Sequence, residues 1–165
     1  MKKIKITAFL VLITVLAGYS QAPKSPRVTA DGKLAKVSYG QPSKRDREIF
    51  GKLVPYGEVW RTGANEATEI TFKKDVLFGG KPVKAGTYAL FTIPGEKEWT
   101  VMVNSVTGQF GAFDYDKNKG KDVASVKVPV QKAKAPTEKF TIQVEDAALR
   151  LTWDTTSVSV PLKAS

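Results

Sequence analysis

The chain has 165 residues, 26 Lys and Arg against 16 Asp and Glu for a formal charge of +10, and neither Cys nor His. The missing thiol excludes disulfides, a Cys nucleophile and Cys-ligated metal clusters, and the missing imidazole excludes a Ser-His-Asp triad, a zincin helix and His-bound copper or haem. Chemistry is left to carboxylates, Lys, Arg, Tyr and hydroxyl groups, and the composition points to no cofactor and no metal.

Residues 1–22 have the layout of a secretory signal peptide: Lys2, Lys3 and Lys5, an apolar run from Ile6 to Gly18, then the small-residue exit Ser20-Gln21-Ala22. The apolar run is 13 residues long, and a helix needs about 20 to cross a bilayer, so the reading is a cleaved leader and not a membrane anchor. Tyr19 stands where a lipoprotein signal would need Cys, which excludes a lipid anchor. Cleavage after Ala22 predicts a periplasmic or secreted protein of 143 residues with a charge of +7. That charge is scattered along turns (Lys73 and Lys74, Lys81 and Lys84, Lys132 and Lys134) and is not gathered with aromatics on one face, so no nucleic-acid partner is expected.

Residues 23–33 are rich in Pro, Ser, Lys and Gly and read as a flexible lead-in. From residue 34 to 165 a single β domain is expected, because apolar residues recur with a period of two and turn signals recur every ten or so positions. Val76-Leu77-Phe78, Gly79-Gly80 and Lys81-Pro82-Val83 form a hairpin pattern. The run Thr87 to Ile93 is apolar on both faces, as in a central strand covered on both sides. Trp99, Val101 and Val103, then Val126, Val128 and Val130, then Phe140, Ile142 and Val144, then Leu149, Leu151 and Trp153, and finally Val158, Val160 and Leu162 each supply one apolar row. The expected architecture is an antiparallel, jelly-roll-like β-sandwich of about eight to ten strands, with a closed barrel as the alternative.

One stretch breaks the ladder. Gln41 to Ala67 is too long for an ordinary connection, since loops beyond about 12 to 15 residues usually bind or cover something. Its apolar pairs Ile49-Phe50, Leu53-Val54 and Val59-Trp60 predict a loop packed onto the sandwich. Its polar side chains, Arg45, Asp46, Arg47, Glu48, Glu58, Arg61, Asn65 and Glu66, with Glu69 just beyond, must then find partners. Arg61 offers a planar fork for a carboxylate or phosphate. The site expected here is ligand-binding and not catalytic: Trp60, Arg61, Asn65 and Glu66, with Glu69 beside them. The competing reading is an internal ion pair between Arg61 and a Glu that pins the loop.

The run Tyr39-Gly40-Gln41-Pro42-Ser43 to Arg47-Glu48-Ile49-Phe50, the run Leu53 to Thr68, and the motifs Ala85-Gly86-Thr87-Tyr88, Phe91-Thr92-Ile93-Pro94-Gly95-Glu96 and Trp99-Thr100-Val101 resemble a bacterial family catalogued as domain of unknown function 2911. The resemblance implies an exported, single-domain β protein of Bacteroidetes-like bacteria and implies no activity.

Two other patterns are weaker. Asp114, Asp116 and Asn118 alternate as calcium ligands do, but Lys119 and Ser125 stand where an EF-hand needs Gly and Glu. Glu66 with Glu58 or Glu69 could form the carboxylate pair of a hydrolase. Trp99 and Trp153 are in phase with core rows, which leaves Trp60 as the tryptophan for a surface site. Three functions are therefore weighed: a binding module for a small polar or anionic ligand, then a structural protein with an envelope partner, then a carboxylate-based hydrolase.

Overall fold

A computed structural model describes residues 25–165, so the leader read over 1–22 lies outside the described residues. Among the described residues ten strands form two antiparallel sheets that face each other. The first sheet holds β1 (Arg27–Asp31), β2 (Ala35–Gly40), β3 (Thr68–Phe72), β6 (Gly86–Ile93), β7 (Glu98–Asn104) and β8 (Asp122–Pro129), hydrogen-bonded in that order. The second holds β5 (Lys81–Val83), β4 (Val76–Phe78), β10 (Ala148–Ala164) and β9 (Gln131–Val144), also in that order. The architecture is the expected all-β sandwich; the barrel alternative fails because the two sheets do not close on each other.

The main core lies between the sheets, where the alternating rows meet. Val37, Ile70, Leu90, Trp99 and Val101 from one sheet pack with Phe78, Phe140, Leu151, Trp153 and Val160 from the other. Gly79 and Gly80 turn the β4–β5 hairpin with φ of 54° and 84°, the backbone region that two-residue hairpin loops require at both positions. The lead-in reading of 23–33 is corrected by β1, which pairs with β2 along its whole length. Its alternation is short but real: Val28 and Ala30 pack against the core while Arg27, Thr29 and Asp31 face out.

β10 serves the core in two phases. Leu149, Leu151 and Trp153 are buried at odd positions, whereas Val158, Val160 and Leu162 are buried at even ones. The switch falls at Asp154, where the register with β9 shifts on both sides and φ is 51°. An irregularity that adds a residue on one strand moves every later side chain to the opposite face, and here it keeps the second half in the core. The Lys44 ammonium donates to the Asp154 carboxylate at 2.8 Å, tying the irregularity to the long loop.

The outer face of the six-stranded sheet carries a second, smaller core. Ala67, Ala89, Phe91 and Met102 are covered by Tyr115 of the single-turn helix α1 (Tyr115–Asn118), with Val59, Ile93 and Ala112 around them. This cover explains the double-sided apolarity of β6. It also leaves rings in solvent, since Phe113 is 79% exposed and Phe110 62%.

Tyr115 makes the cover sensitive to alkali. Burial, then the hydrogen bond its hydroxyl donates to Asp122 at 2.6 Å, raises its pKa above the ordinary tyrosine value. In the unfolded chain the phenol ionises at about pH 10, while the folded state still holds the proton. Above that pH the unfolded state binds fewer protons than the folded one, so stability falls as pH rises. Urea midpoints measured at about pH 9 and about pH 11 should therefore drop further in the wild type than in Tyr115→Phe. Equal drops in the two proteins would remove Tyr115 as the cause.

Candidate functional site

No strand forms between Gly40 and Thr68, and this connection builds the site. Its first half descends onto the sandwich through Ile49, Phe50 and Val54, all buried. Phe50 packs edge-on against Trp99, with ring centroids 4.8 Å apart. The second half is pinned to β6, where Trp60 and Thr92 exchange backbone hydrogen bonds at 2.7 and 2.9 Å. Ile49, Phe50, Val54 and Trp60 thus attach the loop to the core, whereas Leu53 stays exposed and Val59 packs on the outer face of the six-stranded sheet.

Trp60 is only 8% exposed. Its indole lies nearly parallel to that of Trp153, with ring centroids 6.0 Å apart and planes 18° from parallel, and its Nε1 donates to the Gly63 carbonyl at 3.0 Å. It therefore belongs to the core cluster and to the cleft wall at once.

The backbone after Trp60 is held in an unusual shape. Thr62 is fully buried with φ of 58°, and Asn65 has φ of 64°. A β-branched residue at positive φ is rare and costs on the order of 1–3 kcal/mol, so its surroundings must enforce it. They do: the Thr62 hydroxyl meets Thr92 Oγ1 at 3.1 Å, the Thr62 carbonyl accepts from the Thr68 hydroxyl at 2.6 Å, and the Ala64 amide donates to the Gly40 carbonyl at 3.1 Å. Strain enforced this firmly is characteristic of ligand clamps and switch regions.

Between this turn and the first half of the loop lies a cleft of about 400 Å³. Leu53, Val54, Pro55, Val59, Trp60 and Trp153 give it apolar walls; Arg47, Glu58 and Arg61 are its charged members, and Asn65 and Ser25 complete the rim. The Asn65 amide donates to the Ser25 carbonyl at 3.3 Å, which fixes the beginning of the described chain beside the cleft.

Of the five residues expected at a site, the cleft gathers Trp60, Arg61 and Asn65. Glu66 and Glu69 do not line it. Glu66 makes an ion pair with Arg27 at 3.6 Å, and Glu69 accepts a hydrogen bond from the Gly108 amide at 3.1 Å. Glu58 lines the cleft without either of them, so neither carboxylate pairing considered for a hydrolase faces across it.

Arg61 is the informative member. Its Nε is buried and has no hydrogen-bond partner, and among the described residues the guanidinium makes no ion pair. Burial alone pushes its pKa below the ordinary value. The competing reading, an Arg61–Glu pair pinning the loop, is thus not what this structure contains. Buried polar groups are nearly always satisfied, and one left over calls for an explanation.

The calcium-like alternation is engaged elsewhere. The Lys117 and Lys119 ammonium groups reach Asp114 and Asp116 at 3.0 and 3.4 Å, and the Asn118 amide donates to Gln109 at 3.2 Å. Among the described residues no group of three or more acidic side chains is placed to hold a metal ion.

Sequence reasoning missed Trp153 and Ser25 as cleft residues. Trp153 was in phase with a core row, and Ser25 lay in a segment that carries no strand signal; only the sheet order brings both to the loop. No curated protein and no solved structure matches the chain. The pattern of one family does match, over residues 22–162, which takes in every strand but the last two residues of β10. The chain belongs to the family described as "Protein of unknown function (DUF2911)".

Proposed function

We propose that this protein is an exported β-sandwich binding module whose cleft in the 41–69 region takes a small anionic ligand on Arg61. The observation that carries the reading is the guanidinium whose buried Nε lacks an acceptor at the cleft wall. A planar guanidinium presents paired donors that match a carboxylate or phosphate, and a bound anion would restore the charge compensation that burial removes. Export rests on the leader layout of residues 1–22.

The test uses protein recovered from the envelope or medium of its producing cells, with N-terminal sequencing expected to read Pro23 first. Small organic acids and inorganic phosphate are screened by thermal shift. An anion at 100 times its Kd should add about 2.7 kcal/mol of stability. Arg61→Ala should abolish that gain while changing the stability of the ligand-free protein by less than about 1 kcal/mol, because no acidic partner is left behind. A loss of about 3–5 kcal/mol in the ligand-free variant would instead mark Arg61 as half of a structural pair. Silence of every anion would leave the interaction reading, which draws on the exposed rings of Phe110 and Phe113.

A further inference from the structure

The cleft contains more than a cation, and its remaining residues narrow the ligand. Resting on the anion-binding reading, we infer that the cleft takes a monocarboxylate carrying an apolar body, and that Glu58 excludes doubly charged anions.

The charge balance gives the first half of the argument. Two arginines and one glutamate line the cleft, which leaves one net positive charge. Arg47 is partly committed to the protein: its Nε donates to the Lys44 carbonyl at 2.9 Å and its Nη2 to the Ser43 carbonyl at 2.7 Å. Arg61 has no such engagement, so a single carboxylate is matched by a single free fork. Glu58 is exposed and makes no ion pair among the described residues. A phosphate monoester carries about −1.5 to −2 charges at neutral pH, more than the single net positive charge of the lining balances, and Glu58 adds repulsion on top.

The walls give the second half. A volume of about 400 Å³ lies at the lower end of the range for small-molecule sites. Acetate or phosphate would fill little of it. Leu53 and Pro55 are exposed and Val59 is half-buried at this wall, in front of the nearly buried Val54, Trp60 and Trp153, so a ligand with a ring or short chain behind its carboxylate would exclude water from surface that a bare anion leaves wet.

Isothermal titration of the mature protein with phenylpropionate, acetate, phenylpropanol and phenyl phosphate tests both halves. Phenylpropionate should bind about 30-fold more tightly than acetate, from the apolar area it buries. It should bind about tenfold more tightly than phenylpropanol, from the charge-assisted hydrogen bonds to Arg61. Phenyl phosphate should be the weaker of the two aromatic anions, and Glu58→Gln should shift the ratio toward it about fivefold. Glu58 is exposed, so the variant keeps its fold, and the wild-type ratios stand without it.

Equal affinities for acetate and phenylpropionate would overturn the apolar body while leaving the anion reading intact. An unchanged ratio in Glu58→Gln would overturn the selectivity. Binding of none of the anions, or of phenylpropanol as tightly as phenylpropionate, would bring down the underlying reading of Arg61 itself.

Discussion

Truncating Phe50 to alanine should destabilise the protein by about 3–5 kcal/mol, the range for removing a large ring from a packed core. The residue belongs to the long connection and not to a strand, yet it is the point at which that connection enters the interior. Its ring lies 4.8 Å from Trp99, 6.1 Å from Trp60 and 6.3 Å from Trp153, edge-on in each case. Such pairs contribute about 0.5–1.5 kcal/mol beyond the area they bury. The three indoles around it are held in place, Trp99 and Trp153 by their strands and Trp60 by its bridge to Thr92, so they cannot readily collapse into the space. Urea unfolding measures the effect, with an unchanged m-value showing that the midpoint reports stability. A loss below about 1 kcal/mol would mean that the loop rests on the sandwich without being held by it.

Gly40→Ala should cost about 3 kcal/mol or more, for a different reason. A Cβ built at Gly40 falls 2.1 Å from the Ala64 carbonyl oxygen and 2.9 Å from the Ala64 carbonyl carbon. Both are backbone atoms, so no side chain can rotate away. The opposing side is equally tight, since a Cβ on Gly63 would meet the Gly40 carbonyl oxygen at 2.8 Å. The end of β2 and the turn bearing Arg61 are therefore in direct backbone contact, and alanine must push the cleft wall outward. Both stability and any anion response should fall together in thermal denaturation. Gly120→Ala is the control: nothing lies within 4 Å of its Cβ position, and its φ is not positive, so its melting temperature should stay close to that of the wild type. Equal behaviour of the two variants would contradict the contact.

Much of this fold is legible in the chain because its signals are local. The Gly79-Gly80 turn, the double-sided apolarity of Thr87 to Ile93 and the row of Phe140 and Ile142 each depend on a few adjacent residues, and each becomes the predicted element. The partners of the charged groups are another matter. Glu66 pairs with Arg27, from a strand whose five residues show too short an alternation to stand out beside Pro and Gly. Arg61 lacks an acidic partner because β-sheet order, which no short window encodes, engages Glu66 and Glu69 elsewhere, while Glu58 lines the same cleft without pairing with it. The cleft shares this origin: Trp153 reaches it from β10, nearly a hundred residues after Trp60, and only because the irregularity at Asp154 comes one position later.

The aromatic cluster gives the protein an optical property. All three of its tryptophans, Trp60, Trp99 and Trp153, lie within one group of touching rings, and two of them also line the cleft. Intrinsic emission therefore comes from a single location, free of a background from distant indoles. The same unlabelled signal reports the opening of the core around it. The nearly parallel indoles of Trp60 and Trp153 also form a coupled chromophore, whose circular dichroism follows their mutual angle.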